Sequence, residues 1–288
     1  MTALPVTAPV TARRRSPGLG TRVGLMMAVA WVALMVLFML TASVLPLPST
    51  EKPVGPPRIP PFWGEGPLFG TDAIGRDVLS RLIHGAQISM LVGLGATAIA
   101  VVVGVSLGLI SAYARGAVEW VINVVIDAVL AFPPLLLLMS LAAVITPGVG
   151  PLVFSLGLLF APAFARLARS AAVSQMQRDY VTASRTLGAS HWRILTRELL
   201  PNVIQPVISY AVVVLALLIV IEGSLSFLGV GVPPPAPSWG SMIAQGKDQL
   251  RIAPYLIVLP SLMIFFTVFS FNAIGDWARR RVSAGEGK

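Results

Sequence analysis

The sequence contains no cysteine, which removes disulfide frameworks, thiolate metal sites and cysteine nucleophiles from consideration. Charge is scarce too. Asp, Glu, Lys and Arg make up 11% of the 288 residues, under half of the roughly 25% found in an ordinary soluble domain. A chain that is 56% hydrophobic and so poor in charge needs lipid as its solvent. Histidine is nearly absent: His84 and His191 stand alone in sequence, at opposite membrane faces on the topology below, so they cannot form a joint metal site or proton relay. A net charge of +9 is in the range of nucleic-acid binders, but the basic residues sit in short clusters between apolar runs, a pattern that membrane topology explains.

Six uncharged or nearly uncharged runs are present, at residues 23–45, 88–110, 121–145, 148–165, 203–221 and 252–274. At about 1.5 Å per helical residue each can cross about 30 Å of hydrocarbon, the fourth only just. Between the third and fourth, Thr146-Pro147-Gly148-Val149-Gly150-Pro151 marks a tight turn. The first run follows Arg13, Arg14, Arg15 and Arg22, but its apolar core is too long for a signal peptide and reads as a retained anchor. With both termini cytoplasmic, fifteen of the 21 basic residues fall inside and six outside, which satisfies the positive-inside rule.

The expected fold is therefore an all-α polytopic membrane protein with six transmembrane helices. Its parts are a cytoplasmic tail (1–22), an anchor (23–45), an extracytoplasmic proline-rich segment (46–85), a five-span core (86–275) and a cytoplasmic tail (276–288). Near the end of the proline-rich segment, Val78, Leu79, Leu82 and Ile83 recur at helical spacing and Asp77 can pair with Arg81, which predicts a short amphipathic helix at the outer surface.

The cytoplasmic segment 166–202 is long and too apolar for disorder. Asp179 can cap a short helix bearing Tyr180, Val181, Ala183 and Leu187, which Gly188 ends; Ser190 can cap a second, bearing Trp192, Ile194, Leu195 and Leu199. Pro201 is expected to open the fifth span. Together these form a knob that either docks in a groove on a soluble partner or packs on its own spans.

Two carboxylates lie within spans. Asp127 precedes Pro133-Pro134 in the third and either lines a path or bonds a neighbouring span. Glu222 ends the fifth and either meets a peptide amine or reaches interfacial water. Gly93, Gly95, Gly104 and Gly108 suit close helix packing. ATP hydrolysis by the chain itself is excluded, because around Gly246-Lys247 a phosphate-binding loop would require Gly at Ser241 and Ser or Thr at Asp248.

The stretch Asp179-Tyr180-Val181-Thr182-Ala183-Ser184-Arg185-Thr186-Leu187-Gly188-Ala189-Ser190-His191-Trp192-Arg193, ending at Leu200-Pro201-Asn202, resembles the EAA loop of ABC-importer permeases. Thr182 and Ser184 depart from the Glu and Ala often found there. Two further stretches resemble the C-type permease subunit of dipeptide/oligopeptide importers. They are Phe69-Gly70-Thr71-Asp72-Ala73-Ile74-Gly75-Arg76-Asp77-Val78-Leu79-Ser80-Arg81, and Ser226-Phe227-Leu228-Gly229-Val230-Gly231-Val232 through Pro237-Ser238-Trp239-Gly240. The tail after Gly275-Asp276 lacks the Leu-Asp-Pro-Arg-like ending common in that family.

The resemblance implies a type I ABC-importer permease fold in the bacterial inner membrane, with a five-span core and one extra N-terminal span. It implies four partners: a homologous second permease, two ATPase subunits carrying ATP and Mg, and an extracytoplasmic substrate-binding protein. It places the coupling contact on residues 169–202, through Asp179, Tyr180, Ala183, Leu187, Gly188, Ala189, Trp192, Leu200 and Pro201. No cofactor, metal or nucleic acid is expected on this chain. Peptides are the expected cargo, with nickel or glutathione as alternatives. A self-sufficient proton-coupled carrier using Asp127 and Glu222 is the competing class, but it ordinarily shows an internal repeat that the sequence lacks. A membrane-embedded enzyme would need a nucleophile elbow or paired histidines, and neither is present.

Overall fold

The computed structural model describes residues 19–285 apart from positions 65, 115 and 145, with side chains from 22 to 280. Arg13, Arg14 and Arg15 lie outside the described residues. Ten α-helices form and no strand is present among the described residues: α1 (Leu19–Thr41), α2 (Val78–Ala114), α3 (Gly116–Leu130), α4 (Pro134–Ala142), α5 (Val149–Met176), α6 (Asp179–Thr186), α7 (His191–Arg193), α8 (Leu200–Phe227), α9 (Trp239–Gly246) and α10 (Tyr255–Gly285).

Five helices are long and apolar enough to cross a membrane: α1, α2, α5, α10, and α8 together with the residues leading into it. The expected third span differs from a straight rod. α3 and α4 meet at an angle of 87°, so they form either one broken span or a re-entrant pair. The cause is local: Pro133 and Pro134 lack N–H groups, and the residue before a proline is pushed out of the helical region. Pro133 accordingly sits at ψ 125°, and α4 restarts at Pro134.

The expected amphipathic helix before the second span does not exist as a separate element. Residues 78–83 are the first turns of α2, a single helix of 37 residues. No Asp77–Arg81 ion pair forms. Asp77 caps the helix instead, its Oδ2 accepting the Ser80 backbone N–H at 2.9 Å, while Arg81 turns to Asp72. Nothing between Leu82 and Ala100 breaks the helix, so the surface turns and the span are continuous.

Small residues set the spacing of the core. A Cβ on Gly104 would lie 2.4 Å from the Ala161 carbonyl oxygen, and one on Gly108 would lie 2.5 Å from that of Ala165. α2 and α5 therefore pack backbone to backbone, as small residues allow within membranes. Ala96, Ala100, Leu156, Phe164, Val207 and Leu218 fill the buried cluster between α2, α5 and α8. A second cluster, including Met35, Leu82, Met90, Ile219, Trp239 and Phe271, joins α1, α9 and α10 to the other side of α2 and α8. Trp31 Nε1 donates to Thr267 Oγ1 at 3.1 Å, fixing α1 against α10. α10 runs on through residue 276 to Gly285 without a break.

The proline-rich segment is folded. Thr71 Oγ1 donates to the Pro56 carbonyl at 2.6 Å and accepts the Ile59 N–H at 2.9 Å. Tyr255 Oη lies 3.0 Å from the Ile59 carbonyl and 2.8 Å from that of Thr71, tying this segment to the start of α10.

Candidate functional site

Beyond the end of α5 the chain forms the compact knob that the sequence suggests, although shorter than expected: α5 runs on to Met176, so Arg166 and Arg169 belong to that helix. Asp179 is not the cap of α6. Arg178 occupies the cap position with no side-chain bond, and Asp179 stands in the first turn, where its charge favours the positive end of the helix. Gly188 does end α6. It adopts φ +78°, with its N–H bonded to Arg185 O and the Ala189 N–H bonded to Ser184 O, both at 3.0 Å. Those two bonds make a Schellman motif, which places a left-handed residue at this point. Ser190 then caps the next helix by accepting the Arg193 N–H at 3.3 Å.

Pro201 stands in the first turn of α8, as expected, but no break precedes it. The helix is continuous from His191 to Phe227, passing through a π-helical stretch at Ile194–Leu199 in which the Leu200 N–H bonds to Leu195 O. That wider register stands immediately before Pro201, whose ring crowds the carbonyl four residues back and which has no N–H to give.

The knob has a buried underside and a bare top. Val181, Ile194 and Leu199 are buried together against Leu109, Tyr113 and Met176, with half-buried Ala189 beside them. Leu187 is 87% exposed and Trp192 75% exposed, and Ala183, Gly188, Asp179 and Pro201 are exposed as well. Leu200 is half-buried. Tyr180 Oη donates to Gln175 Oε1 at 3.0 Å and accepts from Asn202 Nδ2 at 3.2 Å; Asn202 also donates to the Glu198 carbonyl at 2.7 Å. Burial and the neighbouring Glu198 raise the Tyr180 pKa, with Arg178 opposing, so the phenol keeps its proton in the neutral range.

The underside is locked to the C-terminal end of α2. The Tyr113 hydroxyl is hydrogen-bonded to His191 Nδ1, and Arg185 Cζ lies 5.8 Å from the centre of the Tyr113 ring. Sequence spacing gave no sign of Tyr113, which is 78 residues from His191. It is the residue of the site that only the fold reveals. From below the knob packs on its own spans; above, Leu187 and Trp192 stay exposed.

The two intramembrane carboxylates take different roles. Asp127 accepts from Arg166 Nη2 at 2.5 Å, bonding α3 to α5, and Glu119 and Arg169 form a second ion pair between the same helices. Glu222 does not reach interfacial water, because it is fully buried (0% exposed). Ser89 Oγ donates to its Oε2 at 3.0 Å and Ser226 Oγ to its Oε1 at 2.8 Å, while Ser238 Oγ lies 3.3 Å from Ser226 Oγ. Gly223 and Gly240 touch beside it, so α9 is drawn tightly against α8. Asp127 and Glu222 thus sit apart, on different helices with separate partners.

Comparison with known proteins agrees with this architecture. Residues 104–285 match the family described as binding-protein-dependent transport system inner membrane component. The chain is 40% identical over 224 residues to the di/tripeptide transport system permease protein DppC of Pseudomonas aeruginosa, covering 76% of this chain and 74% of that protein. It is 35% identical over 272 residues to a putative peptide transport system permease protein of Brucella suis, covering 94% and 89%. It is 35% identical over 219 residues to the glutathione transport system permease protein GsiD of Pectobacterium atrosepticum, covering 75% and 73%. An inward-facing structure of the MetNI methionine ABC transporter shares the fold, with a TM-score of 0.55 and 17% identity over 69% of this chain and 96% of that one. The chain belongs to the binding-protein-dependent transport system inner membrane components, as a multi-pass bacterial inner-membrane permease of the ABC-importer class.

Proposed function

We propose that this chain forms half of the translocation pathway of an importer for di- and oligopeptides. A homologous permease supplies the other half, and two separate ATPase subunits drive the pair. The single observation that carries the coupling role is the knob. Two large apolar side chains, Leu187 and Trp192, stand almost bare on a loop whose backbone is fixed by the Gly188 motif and whose underside is anchored to α2. Exposed tryptophan on a rigid support is a typical anchor for a partner's pocket. ATP and Mg belong on the partners in this reading, and the chain itself does no covalent chemistry. The knob faces the cytoplasm, as do both termini, because that orientation puts most basic residues inside.

Peptide as cargo rests on the relatives. Those named for di/tripeptide, peptide and glutathione transport are 35–40% identical to this chain, and glutathione is itself a short peptide. An extracytoplasmic binding protein delivers the cargo at the opposite face. The test is a detergent pull-down of the tagged chain from its native membrane, with ATPase activity read in the eluate. Co-purified ATPase lost in Leu187→Ala and Trp192→Ala supports docking through the knob. A lone chain that transports peptide in liposomes without ATPase overturns it.

A further inference from the structure

At the end of the molecule opposite the knob, a cavity of about 290 Å³ opens between the Asp72–Val78 loop, the first turns of α2, and α9. Arg81 and Tyr113 lie 32 residues apart on α2, so at about 1.5 Å per residue the cavity is roughly 50 Å from the knob. Its polar lining consists of Asp72, Arg76, Arg81 and Gln245. Arg81 is 2% exposed, an unusual burial for an arginine.

The two guanidinium groups converge. Arg76 Nη2 and Arg81 Nη2 both donate to Gln245 Oε1 at 3.0 Å, and Arg81 Nη1 donates to the Thr50 carbonyl at 3.1 Å. Asp72 neutralises one of the two cations. Its Oδ2 accepts Arg76 Nε at 2.6 Å and lies 3.7 Å from Arg81 Nε. Its Oδ1 is taken by the backbone N–H groups of Ile74 and Arg76, at 3.0 and 2.9 Å. Among the groups that line the cavity, two cations thus face one carboxylate. Among the described residues no partner meets Arg76 Nη1, and the acceptor shared by both arginines is a neutral amide. A carboxylate oxygen makes stronger, charge-assisted bonds to guanidinium than an amide does.

We propose that this cavity is a receiving site for a carboxylate, specifically the free C-terminal carboxylate of a short peptide arriving at the outer face. The volume lies at the small end of ligand pockets and suits a dipeptide-sized solute, not a large ligand. Met242, Ile74 and Leu256 supply apolar wall beside the charged end, as a side chain next to a terminal carboxylate requires. The choice of a peptide as ligand rests on the proposed import function; the carboxylate preference rests on the two arginines.

The test uses the full chain in lipid nanodiscs without ATPase subunits, with alanyl-alanine and its C-terminal amide as probes and ligand-observed NMR as the readout. Saturable binding of alanyl-alanine is expected, with the amide weaker by about tenfold or more, since a charge-assisted pair is lost. Arg76→Gln should weaken the acid form to the level of the amide. Gln245→Glu places a permanent carboxylate between the two arginines, strengthens the native network, and should abolish binding while the fold is kept. Equal affinity for acid and amide, undiminished binding by Gln245→Glu, or no saturable binding by the unmodified chain each overturns the proposal. Because no ATPase is present, these outcomes are independent of the pull-down: loss of the pocket leaves knob docking intact, and failed docking leaves the binding result standing.

Discussion

Gly188 gives the sharpest test of the knob, because the structure separates backbone handedness from size. Its φ is +78°, and a Cβ added there meets nothing within 4 Å. A larger residue therefore faces no clash, only the cost of a left-handed conformation, about 1–2 kcal/mol for an ordinary L-residue and least for Asn. A chain that abandons that conformation gives up the bonds from Gly188 to Arg185 and from Ala189 to Ser184 and re-aims Trp192. Since about 1.4 kcal/mol is a factor of ten, Gly188→Val should cut the ratio of correctly set to mis-set knobs by about tenfold or more, and lower transport with it. Gly188→Asn should retain most activity. The assay is uptake of a labelled dipeptide into proteoliposomes holding the assembled transporter, normalised to inserted protein. If Asn and Val are equally defective, the requirement is for the small size of glycine against a partner; if Val transports normally, the coupling role assigned to the knob is wrong.

Three further outcomes follow from the packing. Glu222→Ala leaves the buried hydroxyls of Ser89 and Ser226 without their acceptor, at about 1–3 kcal/mol each, so its thermal unfolding in detergent should begin well below that of the parent; Glu222→Gln keeps an acceptor oxygen and should recover most of the loss. Helix propensity alone makes Gly→Ala in a helix favourable by about 1 kcal/mol, but at Gly104 the new methyl would lie 2.4 Å from a backbone oxygen, so Gly104→Ala should destabilise by about 1–3 kcal/mol in the same assay. Asp127 and Arg166 are more than half exposed, so Asp127→Asn should change stability by no more than about 1 kcal/mol; a larger drop would show that the pair is shielded in the membrane.

Much of the fold can be read from the sequence because hydrocarbon imposes so few solutions. Uncharged runs about 20 residues long become helices, and Gly188 and Ser190 act locally, so their roles as helix end and cap need no tertiary information. The misreadings share a cause: the deciding partner is far away in sequence or spans a junction. Glu222 reads as a wetted end residue because Ser89, 133 positions earlier, is what encloses it. Arg81 reads as the partner of Asp77 because the spacing is ideal, yet Asp77 is committed to the helix cap and Asp72 lies closer to the guanidinium. Pro201 stands in the first turn of α8 as proline's preference predicts, yet the break expected before it is absent because the π register upstream carries the helix through. Tyr113 carries no local signal at all.

The continuity of α2 and of the helix running from His191 to Phe227 bears directly on how a push at the knob can act. Each rod joins the knob region to the buried polar groups near the other end: α2 from Tyr113 to Arg81 and Ser89, the second rod from His191 to Glu222. They are fastened to one another near that end, where Ser89 donates to Glu222 and Gly93 lies close against Ile219. A load on Trp192 therefore enters two braced rods instead of dissipating in a loop. α5 moves with them, since the backbone contacts at Gly104 and Gly108 leave no room for sliding. Within this framework the compliant place is the proline break between α3 and α4, where the two helices meet at 87°. On the proposed function, closure of the ATPases tilts α2, α5 and α8 as one body, and the broken α3–α4 pair takes up the change at the pathway's edge.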